Sequence, residues 1–369
     1  MNTSELNSFI VILIYGSLVL LSLLKLANPL KVNRKANFWF GIFLFLWSTF
    51  WMDEVLLLVT GSTVEFHSLL VVRFVQFLTP IVFYFSVLFY TNPSFVFKGT
   101  DLKFLLLPVA FLLCLLCAEL GYSNPFEYLS VILILVQALF YTGLSYIIIR
   151  RHQKKIQQFS SNTEGINLNW LEYIIVVLFI VNIIYVIYNL FYDPTSLNFF
   201  INAVFLLVIY WVAYYSLKQK EIYPLEEKQR RELISIDEET EKEEVKKKLI
   251  SDEELIKIKA QLESIMATRR PYLDSELNLI KLAEMLSVST HYMSYVINTG
   301  FGKNFFQYVN GYRVEYAKTL LKNTESKFSI LGIAYESGFN SKTSFNTTFK
   351  KMTGQTPSEF KNEVQVYKS

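Results

Sequence analysis

The chain has 369 residues, of which 52% are hydrophobic and 16% aromatic, and its 35 Lys or Arg and 32 Asp or Glu leave a formal net charge of +3. A composition this apolar excludes an ordinary soluble protein. The two kinds of residue are also segregated, with nearly all long apolar runs before Leu217 and nearly all charge runs after it.

Seven apolar stretches are read as membrane spans, at about 8–26, 38–59, 69–90, 103–120, 128–149, 171–191 and 198–217. Each reaches the roughly 20 residues that cross about 30 Å of hydrocarbon. The first is not expected to be a cleaved signal peptide, because Glu5 and no basic residue precedes it and no small-residue cleavage site follows. Basic residues fall on alternate flanks. Lys31, Arg34 and Lys35 follow span one, Lys98 and Lys103 lie between spans three and four, and Arg150, Arg151, Lys154 and Lys155 follow span five. The opposite flanks carry none, so the N-terminus is expected outside and the C-terminus in the cytoplasm of a bacterial cytoplasmic membrane. Pro80 and Pro108 are expected to kink their spans.

Ionisable residues inside spans are costly and usually paired. Asp53 and Glu54 lie about 7 Å below the outer end of span two, at about 1.5 Å per residue. Arg73 sits at a similar depth in span three, with Gln76 one turn further in and His67 in the loop above. Two readings stay open for this cluster: a structural ion pair fixing helix register, or a switch answering an unidentified small ligand, a membrane partner or pH. Cys114 and Cys117 share a helix face within span four, where two thiols cannot complete a zinc site, and His67, His152 and His291 are scattered. No phosphate-binding glycine loop, nucleophile elbow or kinase signature occurs, so no enzyme, cofactor or metal is expected.

Residues 218–250 are charged (EEKQRREL, DEETEKEE, VKKK) and read as a linker, since Pro224 and an unsustained heptad argue against a long coiled coil. Ser251 and Glu254 then form a capping box for a helix with the stripe Leu255, Ile258, Leu262 and Ile265, which packs on the following domain or on a second copy. Beyond it one pattern occurs twice. Asn278 caps a helix carrying Leu279, Leu282, Ala283 and Leu286; Ser287 and Val288 turn the chain; Ser289 caps a helix burying Met293, Val296 and Ile297. Ser329 caps a helix carrying Ile330, Ile333 and Ala334; Gly338 supplies the turn; Ser341 caps a helix burying Phe345 and Phe349. The second turn is one residue longer. Between the units, 304–323 reads as a connecting helix.

The stretches LIKLAEMLSVS, NFFQYVNGYRVEYAKTLL and IAYESGFNSKTSFNTTFKKMTGQTPSEF closely resemble the DNA-binding domain of the AraC/XylS family of bacterial transcription regulators. The resemblance implies two recognition helices in neighbouring major grooves of double-stranded DNA, and RNA polymerase as a partner. It carries the groove-facing role to His291, Ser294 and Tyr295 in the first helix and to Lys342, Thr343, Asn346 and Thr347 in the second. Arg313 matches the connector's arginine, for which domain packing or a phosphate contact is expected. The first helix has no Arg or Lys for bidentate guanine reading. The expected fold is therefore all-α, with a seven-helix membrane sensor (1–217) embedded in the lipid bilayer, a linker (218–250) and a cytoplasmic double helix-turn-helix domain with its leading helix (251–369), which a homodimer would present twice. A transporter with an accessory domain and a passive membrane tether for DNA are the alternatives.

Overall fold

The computed structural model describes residues 3–61, 69–120, 123–191, 195–220, 251–323 and 328–366. His67 and the linker beyond residue 220 lie outside them. The regular elements among the described residues are helical, apart from a backbone bridge between Ser160 and Asn278. The chain forms two compact units, Met1–His152 with Leu168–Ile222, and Gln153–Asn167 with Tyr223–Ser369. Residues 153–167, which the sequence places inside the membrane region, thus belong with the C-terminal unit.

In the first unit, α1 is Thr3–Ala27. Span two is divided into α2 (Arg34–Ser48), a 3-10 turn at Thr49–Trp51, and α3 (Met52–Thr60). Span three is divided at Leu78 into α4 (Leu70–Phe77) and α5 (Thr79–Thr91). Pro80 stands at the start of α5, where a missing N–H costs no helical bond, so the expected kink is a break between two helices. Pro108 lies in the first turn of α6 (Leu106–Glu119), just after a 3-10 turn at Gly99–Leu105. Then come α7 (Ser123–Phe159), α8 (Asn169–Phe191) and α9 (Thr195–Lys218).

Six stretches among the described residues are long and apolar enough to cross a membrane: Glu5–Ala27, Arg34–Thr60, Leu70–Thr91, Gly99–Glu119, Pro125–Phe159 and Phe199–Lys218. The remaining expected span, 171–191, corresponds to α8, whose described apolar stretch Asn169–Ile180 is shorter.

α1 packs on α2 and α9, and α2 packs on α5. The α1–α2 contact is close because a Cβ at Gly41 would stand 2.8 Å from Leu26 Cγ and 3.2 Å from its backbone nitrogen; Ser22 Oγ donates to the Gly41 carbonyl at 2.8 Å. Ile14, Leu18, Phe40, Leu44, Val87 and Tyr90 are fully buried between these helices. A polar network lies at one end. Lys25 Nζ donates to Ser216 O at 2.6 Å, and Asn37 Oδ1 accepts from Tyr90 Oη at 2.6 Å. The outer faces carry large apolar side chains, among them Leu20, Leu23, Leu113 and Leu207.

In the second unit Ser251 Oγ accepts from Glu254 N at 3.2 Å and starts α10 (Asp252–Thr268), which buries Ile258, Leu262 and Met266. α10 packs on the residues following the first recognition helix, so of its two expected roles the domain contact is present. Lys259 Nζ lies 4.8 Å from the Phe301 ring centroid there. The first helix-turn-helix unit is α11 (Leu279–Met285) and α12 (Thr290–Tyr295), the latter continuing as a π turn over Val296–Gly300. α13 (Phe305–Lys322) connects it to α14 (Ile330–Glu336) and α15 (Lys342–Thr353), and α16 (Pro357–Val366) closes the unit. Around the second helix-turn-helix unit Val314, Ala317, Leu321, Ile333, Ala334, Phe339, Phe345 and Phe349 form a buried cluster that Phe360 of α16 covers. Full burial of each phenylalanine contributes up to about 3 kcal/mol.

Candidate nucleic-acid interface

Each of the four helices in the two helix-turn-helix units is started by a local hydrogen bond. Asn278 Oδ1 accepts from Lys281 N at 2.9 Å at the head of α11, and Ser289 Oγ accepts from Tyr292 N at 3.2 Å at the head of α12. Ser329 Oγ accepts from Gly332 N and Ser341 Oγ from Ser344 N, both at 3.1 Å, at the heads of α14 and α15. These caps satisfy N–H groups that a helix start leaves without partners, and they fix where each recognition helix begins. The intervening turns use left-handed backbone at Ser287 (φ 54°) and Gly338 (φ 85°). Four residues separate α11 from α12 and five separate α14 from α15, the one-residue difference expected.

The residues expected to face the groove divide by exposure. Lys342, Thr343 and Thr347 are exposed, and His291, Tyr295 and Asn346 are half-buried. Asn346 Oδ1 is itself covered and has no hydrogen-bond partner among the described residues. Ser294 departs from the expected face: it is only 6% exposed, and Asn298 Nδ2 points at its Oγ from 3.4 Å. It follows Met293 and precedes Ile297 by one turn, and both are core residues; a side chain this short is covered along with them.

Arg313 is also drawn into the domain interior. It is 1% exposed. Its Nε donates to Tyr272 O at 2.7 Å, Nη2 to Asp274 O at 2.7 Å and to Ser161 Oγ at 3.0 Å, and Nη1 to Asn310 Oδ1 at 3.1 Å. Its guanidinium carbon stands 5.7 Å from the Phe339 ring centroid. Of its two expected roles, domain packing is the one the geometry carries, so its place among DNA contacts is corrected: every edge of the fork is already used inside the domain. Burial pulls the Arg313 pKa down to about 10, with Asp274 and Glu276 acting the other way, so it stays a cation at neutral pH. Burial acts to raise the Asp274 carboxyl, but the Glu276 backbone N–H and the Lys281 ammonium outweigh it and hold it below its ordinary value.

Residues 282–363 match a family described as a helix-turn-helix domain. The C-terminal unit therefore carries a helix-turn-helix domain of the AraC type. This helix-turn-helix domain is 34% identical over 88 residues to an HTH-type transcriptional regulator of Staphylococcus aureus (strain COL), a match covering 24% of this chain and 12% of that protein. It is 29% identical over 112 residues to the HTH-type transcriptional regulator YijO of Escherichia coli (strain K12), covering 29% of this chain and 39% of that one. Among solved structures it is similar to the C-terminal domain of the two-component response regulator yesN from Fusobacterium nucleatum, at 31% identity, with 28% of this chain and 98% of that chain covered and a TM-score of 0.26. The AraC-type domain thus accounts for under a third of the chain.

The sequence reading passed over two residues in this domain. Ser161 and Glu164, from the segment between α7 and α8, reach Arg313 and Ser341 respectively. Polar contacts between residues more than 150 positions apart leave no periodicity in the sequence, and no local signal marks them.

Proposed function

We propose that the chain is an integral membrane transcription regulator that binds specific DNA through α12 and α15 and answers a signal received by its apolar helices. The observation that carries the reading is the helix-turn-helix domain with its caps intact and Lys342, Thr343 and Thr347 on an open face. The first unit's outward apolar side chains and its six long apolar stretches support lipid as its surroundings. On this reading α8 is the sixth of seven spans, the N-terminus is outside, and the basic flanks keep the DNA-binding domain in the cytoplasm. RNA polymerase and a second copy of the chain are the further partners.

Eleven Lys or Arg against eight Asp or Glu after Arg270 make phosphate attraction modest. Hydroxyl donors and helix N-termini must then supply much of the contact. The fragment 251–369 is expected to enrich a preferred duplex from a random library. The double change Lys342→Ala and Asn346→Ala should weaken binding to that duplex at least about tenfold, while the melting temperature holds. A fragment that enriches nothing sinks the proposal. Transcript profiling of a deletion strain separates a regulator, which changes a coherent gene set, from a transporter or a passive tether.

The signal input is placed near the outer ends of spans two and three. Asp53 and Glu54 stand in the first turn of α3, right after the 3-10 turn that breaks span two, and Arg73 and Gln76 lie on α4. Gln76 Nε2 donates to Thr49 O at 3.2 Å, joining α4 to that break. Neutralising Asp53, Glu54 or Arg73 singly is expected to lock target transcription in one state at normal membrane levels of the protein. Unchanged induction in all three variants would count against the switch, and loss of the protein from the membrane would favour a structural pair.

A further inference from the structure

Residues 153–167 fold with the C-terminal unit, and their contacts run along both helix-turn-helix units. Ser160 forms an antiparallel backbone bridge with Asn278, the cap of α11. Ser161 is buried: its Oγ donates to Leu277 O at 2.6 Å and accepts from Arg313 Nη2, and its carbonyl accepts from Asn310 Nδ2 at 3.0 Å. Asn162 Oδ1 accepts from Glu164 N at 3.2 Å and shapes the turn that follows. Glu164 then presents its carboxylate to the hydroxyl of Ser341, which caps α15.

On the DNA-binding reading the head of α15 is where this helix would meet a DNA phosphate, because its N–H groups and dipole favour an anion. Ser341 serves both purposes there: its oxygen accepts the Ser344 N–H and its proton goes to Glu164. A carboxylate in that position offers the anionic oxygens that a phosphate would otherwise supply, and two anions repel at such a distance. Ser161 anchors the segment through the buried Arg313, so Glu164 is delivered by a fixed arm. The arm continues from α7, whose basic residues Arg150, Arg151, Lys154 and Lys155 keep this connection on the cytoplasmic side.

We infer that residues 160–164 are an autoinhibitory strap whose Glu164 stands in for a DNA phosphate at the head of α15, and that DNA binding requires this carboxylate to leave. The inference rests on the DNA-binding reading above. It is tested with the full chain in nanodiscs of phosphatidylethanolamine and phosphatidylglycerol, using the duplex enriched by the fragment 251–369. Glu164→Gln and Glu164→Ala are each expected to bind that duplex about tenfold more tightly than the wild type, the worth of one hydrogen bond to a charged group. Equal or weaker binding by both variants overturns the strap. On the wild-type chain, which avoids any folding defect of a variant, hydrogen exchange at 160–164 should speed up when the duplex is saturating. Unchanged or slower exchange there also overturns it. If the fragment enriches no duplex, it is the DNA-binding reading that fails, a result distinct from a fragment that binds and a strap that makes no difference.

Discussion

Gly338→Ala is expected to lower the stability of the fragment 251–369 by about 4 kcal/mol. Two costs combine. Gly338 has φ 85°, a conformation that charges a residue with a side chain about 1–3 kcal/mol. An added Cβ would also stand 2.3 Å from Tyr272 O, 2.9 Å from Leu273 Cα and 3.1 Å from Arg313 Nε, and the first two are backbone atoms that cannot swing aside. Overpacking of this kind costs about 1–3 kcal/mol more. Gly354 is the internal control: it has the same φ of 85° with nothing within 4 Å of its absent Cβ. Gly354→Ala should therefore cost only the conformational part, about 1–3 kcal/mol. Thermal unfolding of both variants checks this, at roughly 4 °C per kcal/mol for a domain of this size. Equal melting temperatures would show that the tight approach of Gly338 to Tyr272 does not exist in solution.

Arg313→Met should destabilise the same fragment by about 3–5 kcal/mol, even though the new side chain is of similar length and apolar. The change strands the carbonyls of Tyr272 and Asp274, which accept from Arg313 at 2.7 Å each, and each stranded carbonyl costs about 1–3 kcal/mol where it is buried. Arg313→Lys keeps the cation but replaces a planar fork with one point of donation, so it should recover only part of the loss. Urea unfolding distinguishes the three proteins through their midpoints, with a common slope indicating that the unfolded state is unchanged. A variant within about 0.5 kcal/mol of wild type would remove Arg313 from its packing role.

How much was legible in the sequence depended on how local the physics was. The caps at Asn278, Ser289, Ser329 and Ser341 were readable because a cap is a contact over three residues. Ala283, Ala334, Phe345 and Phe349 were readable because a buried stripe repeats with the helix, and each is at most 2% exposed. Ser294 shows where periodicity stops: it locates a helix face but not the edge of what covers it. α7 extends ten residues past the expected span end at 149 because an apolar run marks only where apolar side chains stop, while the helix itself continues through the mostly polar stretch Arg150 to Gln158. The contact of Glu164 with Ser341 joins positions 177 apart, and only the folded chain brings them together.

The connector α13 sets a constraint of pitch. An α-helix advances about 1.5 Å and turns about 100° per residue, whereas B-DNA advances about 3.4 Å and turns about 34° per base pair. These two screws do not mesh over short lengths. One residue added to the 18 of α13 would swing the second helix-turn-helix unit through about 100° for little advance. Four added residues would advance it about 6 Å with a net turn near 40°, against about 7 Å and 69° for two base pairs. For a chain that reads DNA with both units, the distance between its two contacted segments is thus inherited with the helix and cannot drift by small insertions. Operators for relatives that read DNA with both units through this connector should share one internal spacing.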